Sequence, residues 1–300
     1  MYLFIVNPQA GGGAGRKAWK RAERLLAGRA IAYEALMTTG PQQAADETER
    51  ALRRRSWQAA VVVGGDGTLH SVLEPIARSG VPLGIVPAGS GNDTARGFGI
   101  PFGTEAALGH ALGQAVRPAD LLQGPGGLAA TAFACGFDAQ VALNVNASFY
   151  KKACNRLKAG RLAYLIGVLH TLLTYKPGQA VIEVDGESRR YDKVWLVSVC
   201  NLPSYGGGLL IAPQADGADG LLDVCIVHGA SRFQLLRLFP TVLKGRHTAL
   251  PFVSMLRGRE VSAAFAQPRP VIGDGEPALG PLNVRCEAAA LTIAAPEAAV

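Results

Sequence analysis

The chain has 300 residues, 49% of them hydrophobic and 18% charged. That is enough for one large domain or two ordinary ones, and it excludes a disordered chain. The formal net charge of +7 favours an anionic partner, such as a nucleotide or an acidic lipid surface, and no nucleic-acid-binding module accompanies it. Cys135, Cys154, Cys200, Cys225 and Cys286 are scattered and contain no C-x-x-C pair. They are expected to be free, mostly buried thiols in a reducing cytosol rather than a disulfide framework or zinc site. No apolar run is long enough to span a membrane, and Met1 leads directly into a strand-like segment instead of a secretory signal. A cytoplasmic location is the expectation.

Tyr2–Val6 reads as the first strand. Asn7 to Gly15 forms a glycine-rich loop, and a helix follows from Arg16 to about Arg29. Ile31–Met37 is strand-like, Thr38–Pro41 turns, and Gln42–Arg54 has the pattern of a helix with a charged outer face. The third strand, Ala59–Val63, breaks into Gly64-Gly65-Asp66-Gly67-Thr68, and a helix resumes to about Ser79. The fourth, Val81–Val86, ends in Pro87–Asp93, and Thr104–Val116 is helical. Strands alternating with helices predict βαβ units and a parallel sheet covered on both faces. Ligands of such sheets sit beyond the strand C-termini, where three of these strands end in glycine-rich loops. A strand, a glycine turn and a helix also place backbone N–H groups at a helix N-terminus, where an anion is stabilised. By residue type alone, Asp66 can either face a metal–phosphate complex or cap the helix.

From about Asp120 the texture changes. Ala129–Cys135, Gln179–Val184, Asp192–Cys200, Gly220–Val227 and Arg259–Phe265 read as strands, with Asp185-Gly186 as a hairpin turn. Helices are expected at Phe137–Arg156 and Gly160–Tyr175. This predicts a second, mainly antiparallel unit. The expected division is 1–122 for the α/β unit, 123–282 for the β-rich unit, and 283–300 for a strand and tail. The strand Asn283–Ile293 could pair within the second unit or return to the first.

Several motifs in this order resemble those of the bacterial diacylglycerol kinase–like lipid kinases, a family that includes sphingosine and ceramide kinases. Asn7-Pro8-Gln9-Ala10-Gly11 resembles its opening N-P-x-[AS]-G loop, and Gly64–Leu69 its G-G-D-G-T-[LI] motif. Pro87–Asp93 with Thr94-Ala95-Arg96 is similar to P-x-G-[TS]-x-N-D-x-A-R. Tyr205–Gly208 through Pro213, Ala215–Val224, and Asp274-Gly275-Glu276 match the family's later stretches. His70-Ser71 departs from the usual Asn-Glu, and Gln140 stands where an acidic residue is common. The resemblance implies an α/β nucleotide-binding domain like those of NAD kinases and phosphofructokinases, followed by a β-sandwich-like domain, with the active site between them. It also implies transfer of the γ-phosphoryl group of ATP to a lipid hydroxyl with Mg²⁺.

The resemblance assigns nucleotide contacts to Asn7, Pro8, Gln9, Ala10, Gly11, Thr38, Gly64, Gly65, Asp66, Gly67, Thr68, Ser90, Asn92 and Asp93. Thr38 is preferred to Thr39 on the family's spacing. Asp66 would engage phosphate through Mg²⁺ or water, and Glu276 would be the general base, with Asp274 orienting it or assisting the metal. Asp216, Asp219 and the Leu221 carbonyl form an oxygen-rich loop where the family carries a magnesium ion; an Asx-rich turn without metal is the alternative. Lys151, Lys152, Arg156, Lys158 and Arg161 precede an apolar stretch, so they could form a peripheral contact with anionic membrane or a solvated helix face. Two other functions compete with the lipid kinase: phosphorylation of a soluble hydroxyl compound such as NAD, and nucleotide-dependent regulation without turnover. The acceptor and the oligomeric state, for which a homodimer is one option, are left open by the residues.

Overall fold

The computed structural model describes residues 1–113, 115–147 and 160–296. Cys154 and the basic residues Lys151, Lys152, Arg156 and Lys158 lie outside that set, as does the side chain of Arg161.

The strands β1 (Tyr2–Val6), β2 (Tyr33–Met37), β3 (Ala60–Gly64) and β4 (Leu83–Pro87) pair in parallel in the order β2-β1-β3-β4. Leu3–Val6 and Val61–Val63 are buried, as a sheet covered on both faces demands. Helices α1 (Ala10–Gly28), α2 (Pro41–Arg54), α3 (Asp66–Ser79), α4 (Asp93–Gly97) and α5 (Thr104–Ala111) complete this part. α2 buries Ala44, Thr48, Ala51 and Leu52, and α3 buries Leu69, Val72, Leu73 and Ile76; both sets lie on one face at helical spacing. Gly11, Gly12 and Gly13 have left-handed backbones inside the span of α1, so the regular helix starts only after them. The short α4 was not foreseen, since five residues carry too little periodicity to read.

Beyond this, the antiparallel part comprises β5 (Arg117–Gly124), β6 (Gly127–Ala129), β7 (Ala132–Gly136), β8 (Gly178–Val184), β9 (Glu187–Cys200), β10 (Leu222–His228), β11 (Val253–Gly258), β12 (Glu260–Phe265), β13 (Val271–Gly273) and β14 (Glu276–Ala278). Helices α6 (Phe137–Ala147), α7 (Gly160–Thr174) and α8 (Arg232–Val242) accompany it. β8 and β9 meet at Asp185-Gly186, both with positive φ, which is what a two-residue hairpin requires. β9 begins at Glu187, five residues before the expected Asp192, because its first half is exposed and charged and carries no apolar alternation. Phe133, Val197, Val199, Val224, Ile226, Val261 and Val284 share one core, the inner layer of the β-sandwich-like unit.

The last strand, β15 (Leu282–Ile293), serves both parts. It pairs antiparallel with β12 and β5, shifts register between Glu287 and Leu291, and at Ile293 lies parallel to Leu83 of β4. Ala294 N then donates to Leu83 O at 2.8 Å. Asp120 of β5 pins the same region: its carboxylate accepts from Gly220 N and Ala289 N, each at 2.7 Å. Asn201 Nδ2 donates to the carbonyls of Asp120 and Ala130. These buried polar groups are nearly all spoken for, so they hold β5 against β15 and the segments at Ala130, Asn201 and Gly220.

Candidate active site

Three loops at the C-terminal ends of β1, β3 and β4 lie side by side. Gly65 and Gly89 meet so closely that a Cβ on Gly65 would stand 2.7 Å from Gly89 Cα. Gly11 sits against the next residue along, Ala88, whose carbonyl oxygen a Cβ would meet at 2.4 Å. Glycine is therefore needed here for the close approach of three backbones. Together these loops floor a cleft of about 470 Å³, lined on one side by Asn7, Gln9, Ala10 and Gly11 and on the other by Gly65 to Thr68.

Polar groups in the cleft are already oriented. Asn7 Oδ1 accepts from Gln9 N at 3.0 Å, while its Nδ2 donates to Thr68 Oγ1 at 2.9 Å. Because Thr68 Oγ1 accepts there, its own proton is free to donate to a ligand. Thr68 N and Leu69 N donate to Gly65 O at 3.0 Å, which leaves the Asp66 and Gly67 amides at the positive end of the helix dipole. Thr38 Oγ1 donates to Val6 O at 3.2 Å and is buried, whereas Thr39 Oγ1 bonds Gln43 Oε1 at 2.6 Å. Both threonines line the cleft, as do Ser90 and Glu276.

Of the expected nucleotide residues, four do not line it. Gly64 lies beneath Thr68, whose side chain a Cβ would meet at 2.8 Å. Pro8 shapes the loop. Asn92, in a left-handed conformation, closes its own turn by accepting from Gly89 N and donating to Gly89 O. Asp93 points the other way: one oxygen takes Arg96 Nη1 at 2.5 Å and the other takes Gly207 N at 2.7 Å. Burial raises the Asp93 carboxyl, with Asp66 adding to the rise and the Gly207 amide and Arg96 opposing it. Gly40, Pro41 and Ala44 line the cleft without having been expected there, as do Ser71 and Gly89, whose motifs were noted but which were not assigned a contact.

Across Asp66 lies a second cavity of about 280 Å³. Asp93, Thr131, Ala132, Ala134, Asp138, Ala142, Tyr205 and Ile272 line it, along with Asp66, Asp274 and Gly275. Asp138, missed in the sequence, is its polar anchor. Tyr205 OH donates to Asp138 Oδ2 at 2.5 Å and Ala139 N to Oδ1 at 3.0 Å. Burial pushes the Asp138 carboxyl up to about 6 despite these bonds, and it raises the Tyr205 hydroxyl well above its usual range. A smaller apolar crevice of about 60 Å³ shares Asp138 and Tyr205 and runs beneath α8.

The Asp274–Glu276 turn separates the cleft from the cavity. Asp274 adopts a left-handed conformation (φ 49°), held by three backbone donors: Ala130 N and Thr131 N at 2.8 Å and Ala132 N at 3.2 Å. That satisfies the carboxylate almost fully and fixes the turn. Glu276 hangs over the start of α3, where a Cβ on Gly67 would lie 3.4 Å from its Oε1. His70 approaches from α3, with Nδ1 3.6 Å from Asp274 Oδ2. Asp274 is the main cause of a raised His70 pKa; burial opposes it and Glu276 adds to it. The usual Asn at this position would carry no such titratable charge.

For a metal–phosphate complex, Asp66 fits. Its Oδ1 accepts from Thr94 N at 3.1 Å, and among the described residues its other oxygen accepts no hydrogen bond. The Asp216–Leu221 loop is arranged differently. Asp216 Oδ1 accepts from Ala218 N at 3.2 Å, Asp219 Oδ1 from Leu221 N at 2.9 Å, and the other Asp219 oxygen is paired with Arg257. Among the described residues no three His, Cys, Asp or Glu side chains converge as a metal site. Arg257 thus takes one Asp219 oxygen of this loop.

Residues 1–123 match the diacylglycerol kinase catalytic domain, and 131–295 match the YegS C-terminal NAD kinase beta sandwich-like domain. A diacylglycerol kinase of Mycobacterium tuberculosis (strain ATCC 25618 / H37Rv) is 36% identical over 265 residues, covering 86% of this chain and 82% of that one. A diacylglycerol kinase of Bacillus subtilis (strain 168) is 26% identical over 281 residues, covering 91% and 88%. In fold, the chain resembles a diacylglycerol kinase structure from Bacillus anthracis str. Sterne, with a TM-score of 0.74 at 18% identity over 100% of this chain and 98% of that one. The two matched domains, and the curated relatives that span both, establish that the chain belongs to the diacylglycerol kinase family of lipid kinases, phosphotransferases with an alcohol acceptor.

Proposed function

We propose that the chain transfers the γ-phosphoryl group of ATP to the hydroxyl of a lipid such as diacylglycerol, with Mg²⁺. One observation carries this reading: a polar cleft of nucleotide-site character and a largely apolar cavity meet at a single residue, Asp66, beside the Asp274–Glu276 turn. Phosphoryl transfer needs donor and acceptor in line with charge neutralised between them. The donor side falls to residues 1–122, the acceptor side to 123–282, and the strand in 283–300 ties them together.

On the donor side, the N-terminus of α3 and the Thr68 hydroxyl hold phosphate oxygens, with Asn7 keeping Thr68 in the donating orientation. Asp66 and the phosphates would hold Mg²⁺, which when bound offsets phosphate charge. On the acceptor side, Asp138 and Tyr205 offer a hydroxyl a place to bond in a cavity whose lining surface is largely apolar. The small side chains of Ala132, Ala134 and Ala142 leave room for a headgroup. Glu276 takes the proton from the attacking hydroxyl as its oxygen bonds to phosphorus, and the ADP oxygen leaves. A lipid acceptor also implies peripheral contact with an anionic membrane.

Glu276→Gln separates chemistry from binding. Removal of a general base typically lowers turnover by about 10²–10⁴-fold, and ATP affinity, measured by calorimetry, should stay within about twofold of wild type. Turnover near wild type in this variant would remove Glu276 from the role.

A further inference from the structure

We propose that the outward face of α8 is a membrane-docking surface that seats the protein on an anionic bilayer beside the acceptor cavity. This rests on the lipid-kinase reading of the site. α8 buries Leu235, Leu238 and Val242, and the opposite side of an ordinary surface helix would be polar. Here that side carries Phe233, Leu236, Pro240 and Leu243, spaced three, four and three residues apart in one stripe. Phe233 is 63% exposed, Leu236 47% and Leu243 58%. The helix is not a frayed end: Ser231 and Gln234 form a full capping box at its start. Single exposed apolar residues are common, but a contiguous stripe is not.

The charged residues of this stretch of chain are all basic. Arg232, Arg237, Lys244 and Arg246 are all exposed, and no Asp or Glu occurs between Val224 and Arg259. Arg237 lies with its guanidinium 4.6 Å from the Phe233 ring centroid, which lets an apolar side chain sink while the charge stays at headgroup level. Arg232 also bonds the carbonyls of Leu172 and Tyr175, joining α8 to the end of α7, where Leu169 and Leu173 are exposed. Apolar residues ringed by Lys and Arg are the composition of an interfacial helix on anionic lipid. A second copy of this chain would instead bring like charges face to face, an arrangement that opposes association.

The acceptor cavity gives the stripe its reason. At about 280 Å³ it is small for a drug-sized ligand, so it holds a headgroup and leaves most of a diacyl lipid outside. The crevice that shares Asp138 and Tyr205 with it is lined by Leu235, Leu238, Phe239 and Val242, the inner side of the same helix. A lipid with its headgroup at Asp138 can thus keep its chains in a bilayer touching α8.

The test uses the full chain, sedimented with vesicles of phosphatidylcholine alone or mixed with phosphatidylglycerol, each also carrying diacylglycerol. Two variants are compared with wild type: Phe233→Asp with Leu236→Asp, and Arg237→Glu with Lys244→Glu. Wild type should bind the anionic vesicles, and each variant should bind them at least about tenfold more weakly. Turnover of vesicle-borne diacylglycerol should fall in step, while turnover of a monomeric short-chain diacylglycerol stays unchanged. Unaltered vesicle binding by both variants would overturn the proposal. So would a wild-type dimer that the aspartate pair dissociates while vesicle binding persists, since the stripe would then be a self-interface. Charge-dependent vesicle binding without turnover of either lipid would support the docking face and fault the lipid-kinase reading instead.

Discussion

Asp138 carries a stability cost. An unfolded Asp titrates near 3.8 and this one near 6, so between those values the folded chain holds the extra proton. Stability therefore falls as pH rises through that window, and above it Asp138 costs on the order of 3 kcal/mol. Asparagine carries no such charge. Asp138→Asn should raise the melting temperature relative to wild type more at pH 8 than at pH 4, while weakening use of the acceptor. Equal shifts at the two pH values would refute the assignment. Asp66 and Glu276 were singled out through the family resemblance of the G-G-D-G-T and D-G-E motifs. Asp138 was not visible that way, since its meaning comes from Tyr205, 67 positions away. Asp93 shows the converse: its motif was plain, yet its carboxylate is turned to Arg96 and Gly207, and only tertiary contacts decide that direction.

At the scale of elements, the strand–glycine–helix units were legible because their physics is local. A buried parallel strand is a continuous apolar run, and a glycine break before a periodic segment marks a helix start. The boundaries of β1, β3 and β4 agree with that reading to within two residues. α8 was invisible for the reason that makes it interesting: apolar residues on both its faces erase the amphipathic signal. β13 and β14, three residues each, carry too few residues for alternation to show. Packing between the Gly65 and Gly89 loops gives a prediction at this scale. Gly65→Ala must force them apart, because the new methyl would lie 2.7 Å from Gly89 Cα. Overpacking of this kind costs roughly 1–3 kcal/mol. The expected result is a lower melting temperature together with at least about tenfold weaker ATP binding. Unchanged ATP affinity would mean that this floor does not shape the nucleotide site.

For the whole molecule, β15 is the member that makes one site out of two parts. It runs from the antiparallel unit to the edge of β4, which it meets at Leu83, while Asp120 anchors its bend at Ala289 to β5. The Asp274–Glu276 turn is held against residues 130–132 by three amides, so Glu276 reaches the start of α3 from the far side of the chain. Sequence order revealed the two textures but not this interlock, because a strand pattern does not specify its partners. No helix among the described residues is long and apolar enough to cross a membrane. The central claim is that Asp66 joins an ATP cleft to a lipid-alcohol cavity. Incubating the protein with γ-labelled ATP, Mg²⁺ and a total lipid extract, then identifying the labelled product by mass, tests it most directly. The label should appear in a phosphorylated lipid that carried a free hydroxyl, with wild type and not with Glu276→Gln. Label found only in a water-soluble product, or lipid labelling equal in the two proteins, would contradict the account.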